Sequence, residues 1–173
     1  LNKVCVVGGG VGCAIAYPAA NELHRRGAVV HSVIGFRTKD LVILEEQFRQ
    51  VSDILHVVTD DGSYGEKGLV LGPLERLLKE GNQYDQVLVI GPLVMMKAVS
   101  ELTRPLGIKT VVSMNSIMVD GTGMCGGCRV TVGGKTRFAC VDGPEFDGHL
   151  IQFDEAIARS RMYRGFEEHA RDE

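Results

Sequence analysis

The 173-residue sequence has no block of lysine and arginine; 19 basic residues stand against 22 acidic ones, and the formal net charge is -3. That balance argues against nucleic acid or an anionic membrane as the main partner. No apolar run reaches the length of a membrane span, and Leu1 leads almost directly into an apolar strand without the layout of a signal peptide. A cytoplasmic location is therefore expected, and so abrupt a start is read as the sign of preceding residues, up to a whole domain, in the intact protein. Internal repeats and low-complexity segments are lacking. The histidines do not cluster: His24, His31, His56, His149 and His169 are scattered, and each is expected to be structural or solvated, not a general acid or base. The cysteines number five, an odd count that does not suggest a disulfide framework.

What is present is an ordinary globular composition, 45% hydrophobic, sufficient for the core of one medium domain with a small appendage. Short apolar runs alternate with helical patterns, which points to βαβ units and a parallel sheet. Strands are expected at Lys3 to Val7, Ala28 to Ile34, Leu55 to Thr59, Gln86 to Ile90 and Lys109 to Met114. The first is followed by a helix running to about Arg26 that Pro18 should kink or restart. Leu41, Leu44, Phe48 and Val51 recur at helical spacing; Pro73 suits an early helical position in a segment ending near Lys79 and Gly81; a further helix is expected from Leu93 to Thr103. Beyond Asn115, glycines and cysteines replace regular periodicity up to about Gly148, and Asp154 to Ala170 reads as a polar terminal helix. The fold class is thus α/β: a five-stranded, parallel, doubly wound nucleotide-binding domain over 1–114, a small cluster module over 115–150 and a helical tail over 151–173. So short a Gly-rich module is expected to have little apolar core of its own and to depend on its metal.

The most specific signal is Asp120-x4-Cys125-x2-Cys128-x11-Cys140. Its spacing is that of the plant-type 2Fe-2S run, with a carboxylate where the first thiolate would stand. A tight turn from Asp120 to Cys128 supplies three anionic donors from one loop, and Cys140 returns after a short apolar stretch. A zinc ribbon is the alternative, with Asp as an uncommon fourth ligand, but the gap from Asp120 to Cys125 matches the iron-sulfur spacing and not the usual zinc one.

Gly8, Gly9, Gly10, Val11 and Gly12 follow a strand and open a helix, so bare backbone amides and a positive helix end can face a pyrophosphate. The fingerprint is incomplete: Cys13 stands at the third glycine position, and the second strand ends in Gly35-Phe36-Arg37 instead of an acidic ribose ligand. A plain tight turn remains the alternative. Thr59, Asp60 and Gly62, in the run Thr59 to Gly65, and Gly91-Pro92 sit at strand ends on the ligand-facing edge of such a sheet. Met95 and Met96 are read as core filler.

In order, GGGVG at 8–12, GFRTKDL at 35–41, TDDGSYG at 59–65, Gly91-Pro92 and the cysteine module resemble, over essentially the whole chain, the ferredoxin reductase-like electron-transfer subunits of dihydroorotate dehydrogenase type B. The stretches 113–134 and 138–149 look closer to one branch, the small subunit of NADH-dependent ferredoxin:NADP oxidoreductase, also known as sulfide dehydrogenase or ferredoxin-NADP reductase alpha subunit. The resemblance implies that Asp120, Cys125, Cys128 and Cys140 bind the cluster; the dihydroorotate branch has Cys at the first place. It places Gly9, Gly10 and Val11 on the pyrophosphate loop and Thr59, Asp60 and Gly62 on a nicotinamide-side loop. It also implies FAD in the intact protein, held mainly by an N-terminal barrel, and a heterodimer with a larger FAD/iron-sulfur subunit resembling the glutamate synthase small chain, with ferredoxin reached indirectly. The expected cofactors are a 2Fe-2S cluster and NAD(H) or NADP(H), with NAD(H) preferred although Arg37 could meet a 2′-phosphate. Two other readings stay open, a ferredoxin-like carrier without nucleotide and a zinc-stabilised nucleotide-binding module without redox activity.

Overall fold

In the computed structural model, which describes residues 1–162, strand β1 (Lys3–Gly9) is buried from Val4 to Gly9. Such continuous burial belongs to a strand covered on both faces. Its alternate side chains serve two cores. Val4 and Val6 pack with Cys13, Ala16 and Ala20 of α1 (Gly12–Arg25) and Phe48 of α2 (Glu45–Val51). Cys5 and Val7 face the opposite way, into the core formed by Leu74 and Leu77 of α3 (Leu71–Lys79) and Met96 and Val99 of α4 (Leu93–Thr103).

Beside β1, the strands β2 (Val29–Phe36), β3 (Ile54–Thr59), β5 (Gln86–Ile90) and β6 (Thr110–Ser113) pair in parallel, as the five apolar runs imply. Two further strands make the sheet seven-stranded. The two-residue β4 (Glu66–Lys67) pairs with β3, and β9 (Glu145–Asp147) pairs antiparallel with β6, giving the order β4-β3-β2-β1-β5-β6-β9. Neither addition has an apolar run of its own to announce it. The chain leaves β1 for β2 on one side and comes back to β5 on the other, so the crevice of the fold lies between the C-terminal ends of β1 and β5.

Two expectations are corrected, and a third falls partly outside the described residues. Helix α1 runs unbroken through Pro18. The periodic stretch from Leu41 to Val51 is not one helix: Lys39–Leu41 forms a 3-10 turn, Leu44 takes a left-handed backbone at φ 59°, and only Glu45–Val51 is α-helical. Phe48 and Val51 therefore reach the core while Leu41 stays exposed. The terminal helix α6 spans Phe153–Ser160; the remainder of the expected Asp154 to Ala170 segment, from 163 on, and His169 lie outside the described residues.

Past residue 114 the chain forms a hairpin of β7 (Arg129–Val132) and β8 (Lys135–Phe138). Gly133 and Gly134 both take positive φ, 56° and 75°, as a two-residue turn matched to strand twist requires. A single turn, α5 (Ala139–Asp142), leads on to β9. The module does not stand apart from the sheet: Cys128, Val130, Ala139, Ile151 and Phe153 belong to the same buried cluster as Val112, Val99 and Met96. A polar knot reinforces the join, with Thr103 Oγ1 2.5 Å from Thr110 Oγ1 and 3.0 Å from His149 Nε2, and the Gly148 N–H donating to the Thr110 carbonyl at 2.8 Å. No helix among the described residues is long and apolar enough to cross a membrane.

Candidate functional site

The glycine loop is shaped by contacts that a side chain would destroy. Gly10 has φ 55° and donates its N–H to the Gly35 carbonyl at 2.8 Å, while its own carbonyl accepts from Cys13 N–H at 3.1 Å. A Cβ at Gly12 would stand 2.5 Å from the Ile90 carbonyl oxygen, so this glycine lets α1 press against the end of β5. At Gly8 a Cβ would fall 2.8 Å from the Cys13 sulfur. Gly8 thus makes room for Cys13, which occupies the place of the missing third glycine, and it lines neither cleft described below. Burial pushes the Cys13 thiol up to about 12, leaving it inert at neutral pH. No side chain caps the start of α1 and no acidic residue occupies its first turn, so no carboxylate of that turn opposes the positive end of the helix.

Two clefts meet on this loop, sharing Gly9, Gly10 and Pro92. The first, about 500 Å3, lies over the ends of β2 and β3 and is mostly apolar, with Leu41, Leu69 and Val94 beside Arg37 and Asp60. The second, about 640 Å3, lies over the ends of β1, β5 and β6 and includes Val11, Gly12, Gly91, Ser113, Asn115 and Glu145. Met95 lies between Gly9 and Gly91: a Cβ on either would come within 2.6 Å of its Sδ or Cε. Of the adjacent methionines, Met96 is fully buried and fits the core reading, whereas Met95 lines the first cleft. One residue along a helix turns the side chain by about 100°, and that separates them.

The Thr59 to Gly65 loop is largely tied to itself. Thr59 is buried, its hydroxyl donating to the Tyr64 carbonyl at 2.6 Å and accepting from Tyr64 N–H at 3.1 Å. Asp61 accepts from Ser63 N–H at 2.9 Å and from the Ser63 hydroxyl at 2.7 Å, and those bonds hold its carboxyl below the usual range. Gly62 supplies a turn at φ 76°. Only Asp60 of the three predicted residues reaches a cleft, and it is the first cleft, beside Arg37. The Arg37 guanidinium has no ion-pair partner among the described residues.

In the cysteine module, positive φ at Gly121, Gly123 and Gly126 curls the loop that starts at Asp120. Asp120 accepts from the N–H of Thr122 and of Cys125, each at 2.9 Å. The Thr122 amide first, then that of Cys125, holds this carboxyl below the ordinary carboxylate value. Each carboxylate oxygen keeps a second lone pair for another partner. Cys125 is exposed, and its sulfur accepts from Gly127 N–H at 3.4 Å. Cys128, just before β7, is buried with its sulfur 3.3 Å from that of Cys140, both reduced. Burial opposes ionisation of Cys128, but the amide and thiol of Cys140 outweigh it and hold Cys128 below the ordinary thiol value. Its hydrogen-bonded partner Cys140 is pushed up in turn.

Among the described residues no three of these donors gather around one point, as a single metal ion would require. They group two and two: Asp120 and Cys125 share one turn, joined through the Cys125 backbone N–H, and Cys128 and Cys140 bring their sulfurs together at the open end of the hairpin. Two donors on each of two irons is what a 2Fe-2S cluster needs, so the donor chemistry of the loop fits that group. Arg159 of α6 and Arg129 steady the loop through the Gly127 and Gly126 carbonyls, each at 3.2 Å.

Ser113, Asn115, Glu145, Leu41 and Met95 are cleft residues that the sequence pattern does not single out. Strand-end position could have found Ser113, but nothing local announces that residue 145 returns to the same sheet edge.

Comparison with known proteins finds relatives over most of the chain. Residues 115–152 match the iron-sulfur cluster binding domain of dihydroorotate dehydrogenase B. The chain is 48% identical over 163 residues to the dihydroorotate dehydrogenase B (NAD(+)) electron transfer subunit homolog of Thermotoga maritima, covering 94% of this chain and 57% of that protein. An uncharacterized protein of the adh 3′ region of Clostridium beijerinckii is 54% identical over 159 residues, covering 91% of this chain and 54% of that one. The chain therefore spans little more than half the length of these curated relatives. Among solved structures, that of an NADH-dependent reduced ferredoxin-NADP oxidoreductase, reported in connection with flavin-based electron bifurcation, superposes with a TM-score of 0.89 at 45% identity, covering 99% of this chain and 62% of that one. The C-terminal domain of a Pyrococcus furiosus hydrogenase, at 20% identity and a TM-score of 0.52, shares the fold over 65% of this chain and 91% of that one.

Proposed function

Because the chain is homologous to the electron-transfer subunits of dihydroorotate dehydrogenase B and carries their iron-sulfur cluster binding domain over residues 115–152, we propose that it passes reducing equivalents between a nicotinamide dinucleotide, a flavin and a 2Fe-2S cluster. The observation that carries this reading is the pair of clefts joined at Gly9 and Gly10, one for each half of a dinucleotide. In a doubly wound sheet the end of β2 meets the adenosine ribose, which assigns the first cleft to adenosine and the second to nicotinamide. Gly10 and Gly12 bring bare backbone to the pyrophosphate, and Leu41, Leu69 and Val94 offer apolar contact to the adenine. On this assignment Thr59, Asp60 and Gly62 belong to the adenosine side and not to the nicotinamide side that the resemblance implied: Asp60 lines the first cleft, and Thr59 and Gly62 hold the shape of the loop beside it.

The cluster, when bound, takes up and gives out one electron at a time. Asp120, Cys125, Cys128 and Cys140 would hold it. The protein's part is to pre-form the turn, to lower the thiol of Cys128 toward the thiolate that binds metal, and to direct the amides of Gly127 and Cys140 at sulfur. Flavin in the whole protein, a larger FAD/iron-sulfur partner subunit and a cytoplasmic location belong to the same proposal. So does a preference for the ferredoxin-NADP oxidoreductase branch, supported by Asp at 120 and by the likeness to that structure.

Anaerobically purified protein should contain about two iron and two sulfide per chain, with visible charge-transfer bands, and should bind NAD(H). Zinc without sulfide would overturn the cluster, and failure to bind any dinucleotide would leave only an electron carrier. Asp120→Cys restores an all-thiolate set and should keep the cluster while lowering its potential by on the order of 100 mV, since thiolate donates more strongly to oxidised iron. Asp120→Ala should lose or destabilise it. Redox titration followed by electron paramagnetic resonance reads both; an unchanged spectrum and potential in the two variants would show that residue 120 is not a ligand.

A further inference from the structure

The second cleft is walled by apolar groups and bare backbone, with Val11, Ile15, Ile90 and Met118 among them. Its polar side chains are Ser113, Asn115 and Glu145, and Glu145 is the one ionisable residue in its lining. Glu145 opens β9, where pairing with β6 sets it beside Ser113. The Met114 N–H donates to the Pro144 carbonyl at 2.9 Å and the Gly148 N–H to the Thr110 carbonyl at 2.8 Å, so the strand is pinned on both sides of this residue. The Glu145 carboxylate itself has no hydrogen-bond or ion-pair partner among the described residues.

An open cleft leaves such a carboxylate in water. A ligand that fills the cleft strips that water away, and it must offer a donor or a positive charge in exchange. Nicotinamide has both: an amide NH2 in either redox state and a ring that is positively charged only when oxidised. Resting on the reading that this cleft takes the nicotinamide, we propose that Glu145 is the residue that recognises it, accepting from the carboxamide and favouring the oxidised ring over the reduced one. Tighter binding of the oxidised form makes the bound reduced form the stronger hydride donor, which suits a protein that must deliver reducing equivalents onward. Ser113 and Asn115, in the same lining, are placed to serve the carboxamide oxygen.

ADP-ribose has the adenosine and pyrophosphate of the dinucleotide but no nicotinamide, and it separates this inference from its premise. Calorimetric titration of the full chain and of Glu145→Gln and Glu145→Ala with NAD+, NADH and ADP-ribose is the test. Glu145→Gln removes the charge but keeps an acceptor, and should weaken NAD+ about five-fold, the scale of one charge in a solvent-open cleft, with NADH and ADP-ribose unchanged. Glu145→Ala should weaken both NAD+ and NADH and leave ADP-ribose alone. An unchanged NAD+ to NADH affinity ratio in Glu145→Gln would overturn the inference, and so would a loss shared equally by ADP-ribose, which would mark a merely structural residue. If the unaltered chain fails to bind ADP-ribose, the dinucleotide reading falls and the inference with it.

Discussion

Replacing Cys128 with serine will remove the visible absorption of the anaerobically purified protein and bring its iron and sulfide close to background. Serine is a poorer and harder donor than thiolate, and the nearest other cysteine sulfur, that of Cys140, is already committed to the same site. The consequence for folding is more modest than the sequence suggests. A Gly-rich module with no core of its own would unfold with its metal, but Cys128, Val130 and Ala139 lie in the cluster that also contains Val99 and Val112. The sheet and hairpin should therefore survive with unchanged far-ultraviolet circular dichroism. Loosening should be confined to the Asp120 to Gly127 turn, where amide exchange will be faster. Cys125→Ser should lose the same iron with less effect on stability, because Cys125 is exposed. Full iron and sulfide in either variant would refute the ligand assignment.

Gly10→Val should weaken binding of NAD(H) by about 100-fold, some 2.7 kcal/mol. Two effects add. A left-handed backbone at φ 55° costs a β-branched residue about 1–2 kcal/mol, and any distortion moves the amides that face the pyrophosphate. Its Cβ meets nothing in the protein within 4 Å and would project into open space at the junction of the clefts, where a phosphate must pass. Gly10→Asn, which tolerates that backbone better, isolates the second effect and should still lose most of the affinity. Gly12→Val should fail differently, since its Cβ would strike the Ile90 carbonyl and separate α1 from β5 whether or not a ligand is present. Titration of the folded variants distinguishes these outcomes. Unaltered affinity in both position-10 variants would reduce the glycine loop to a turn.

The parts of this molecule that can be read from sequence are those whose cause is local. Strand β5 and helix α4 match their expected bounds of Gln86–Ile90 and Leu93–Thr103, because an uninterrupted apolar run is stopped by Gly91-Pro92 and the helix pattern is plain. The proposed ligands Asp120, Cys125 and Cys128 stand out for a local reason too, their spacing being a property of one turn, whereas Cys140 comes back only past the hairpin. Features decided by distant partners do not. Leu44 carries the right periodicity for α2 yet takes a left-handed backbone, and Leu41 is given to a cleft instead of a core. Thr59 looks like a hydroxyl for a ligand but is used up on Tyr64. Glu145 becomes a cleft residue only because β9 returns to pair with β6, a contact between segments some thirty residues apart.

The short strands that end the sheet have a consequence for how the protein can meet others. At one edge β4 has two residues, Glu66 and Lys67, with Glu66 clamped by His56 at 2.9 Å and Arg76 at 2.8 Å. At the other, β9 has three residues and carries a carboxylate at each end. Short, charged borders leave little regular backbone for a foreign strand to zip onto. The sheet is thus protected from edge-to-edge polymerisation even though its interior strands are almost wholly apolar. Recognition of the partner subunit proposed above would then rest on side-chain surfaces and not on strand addition at either edge.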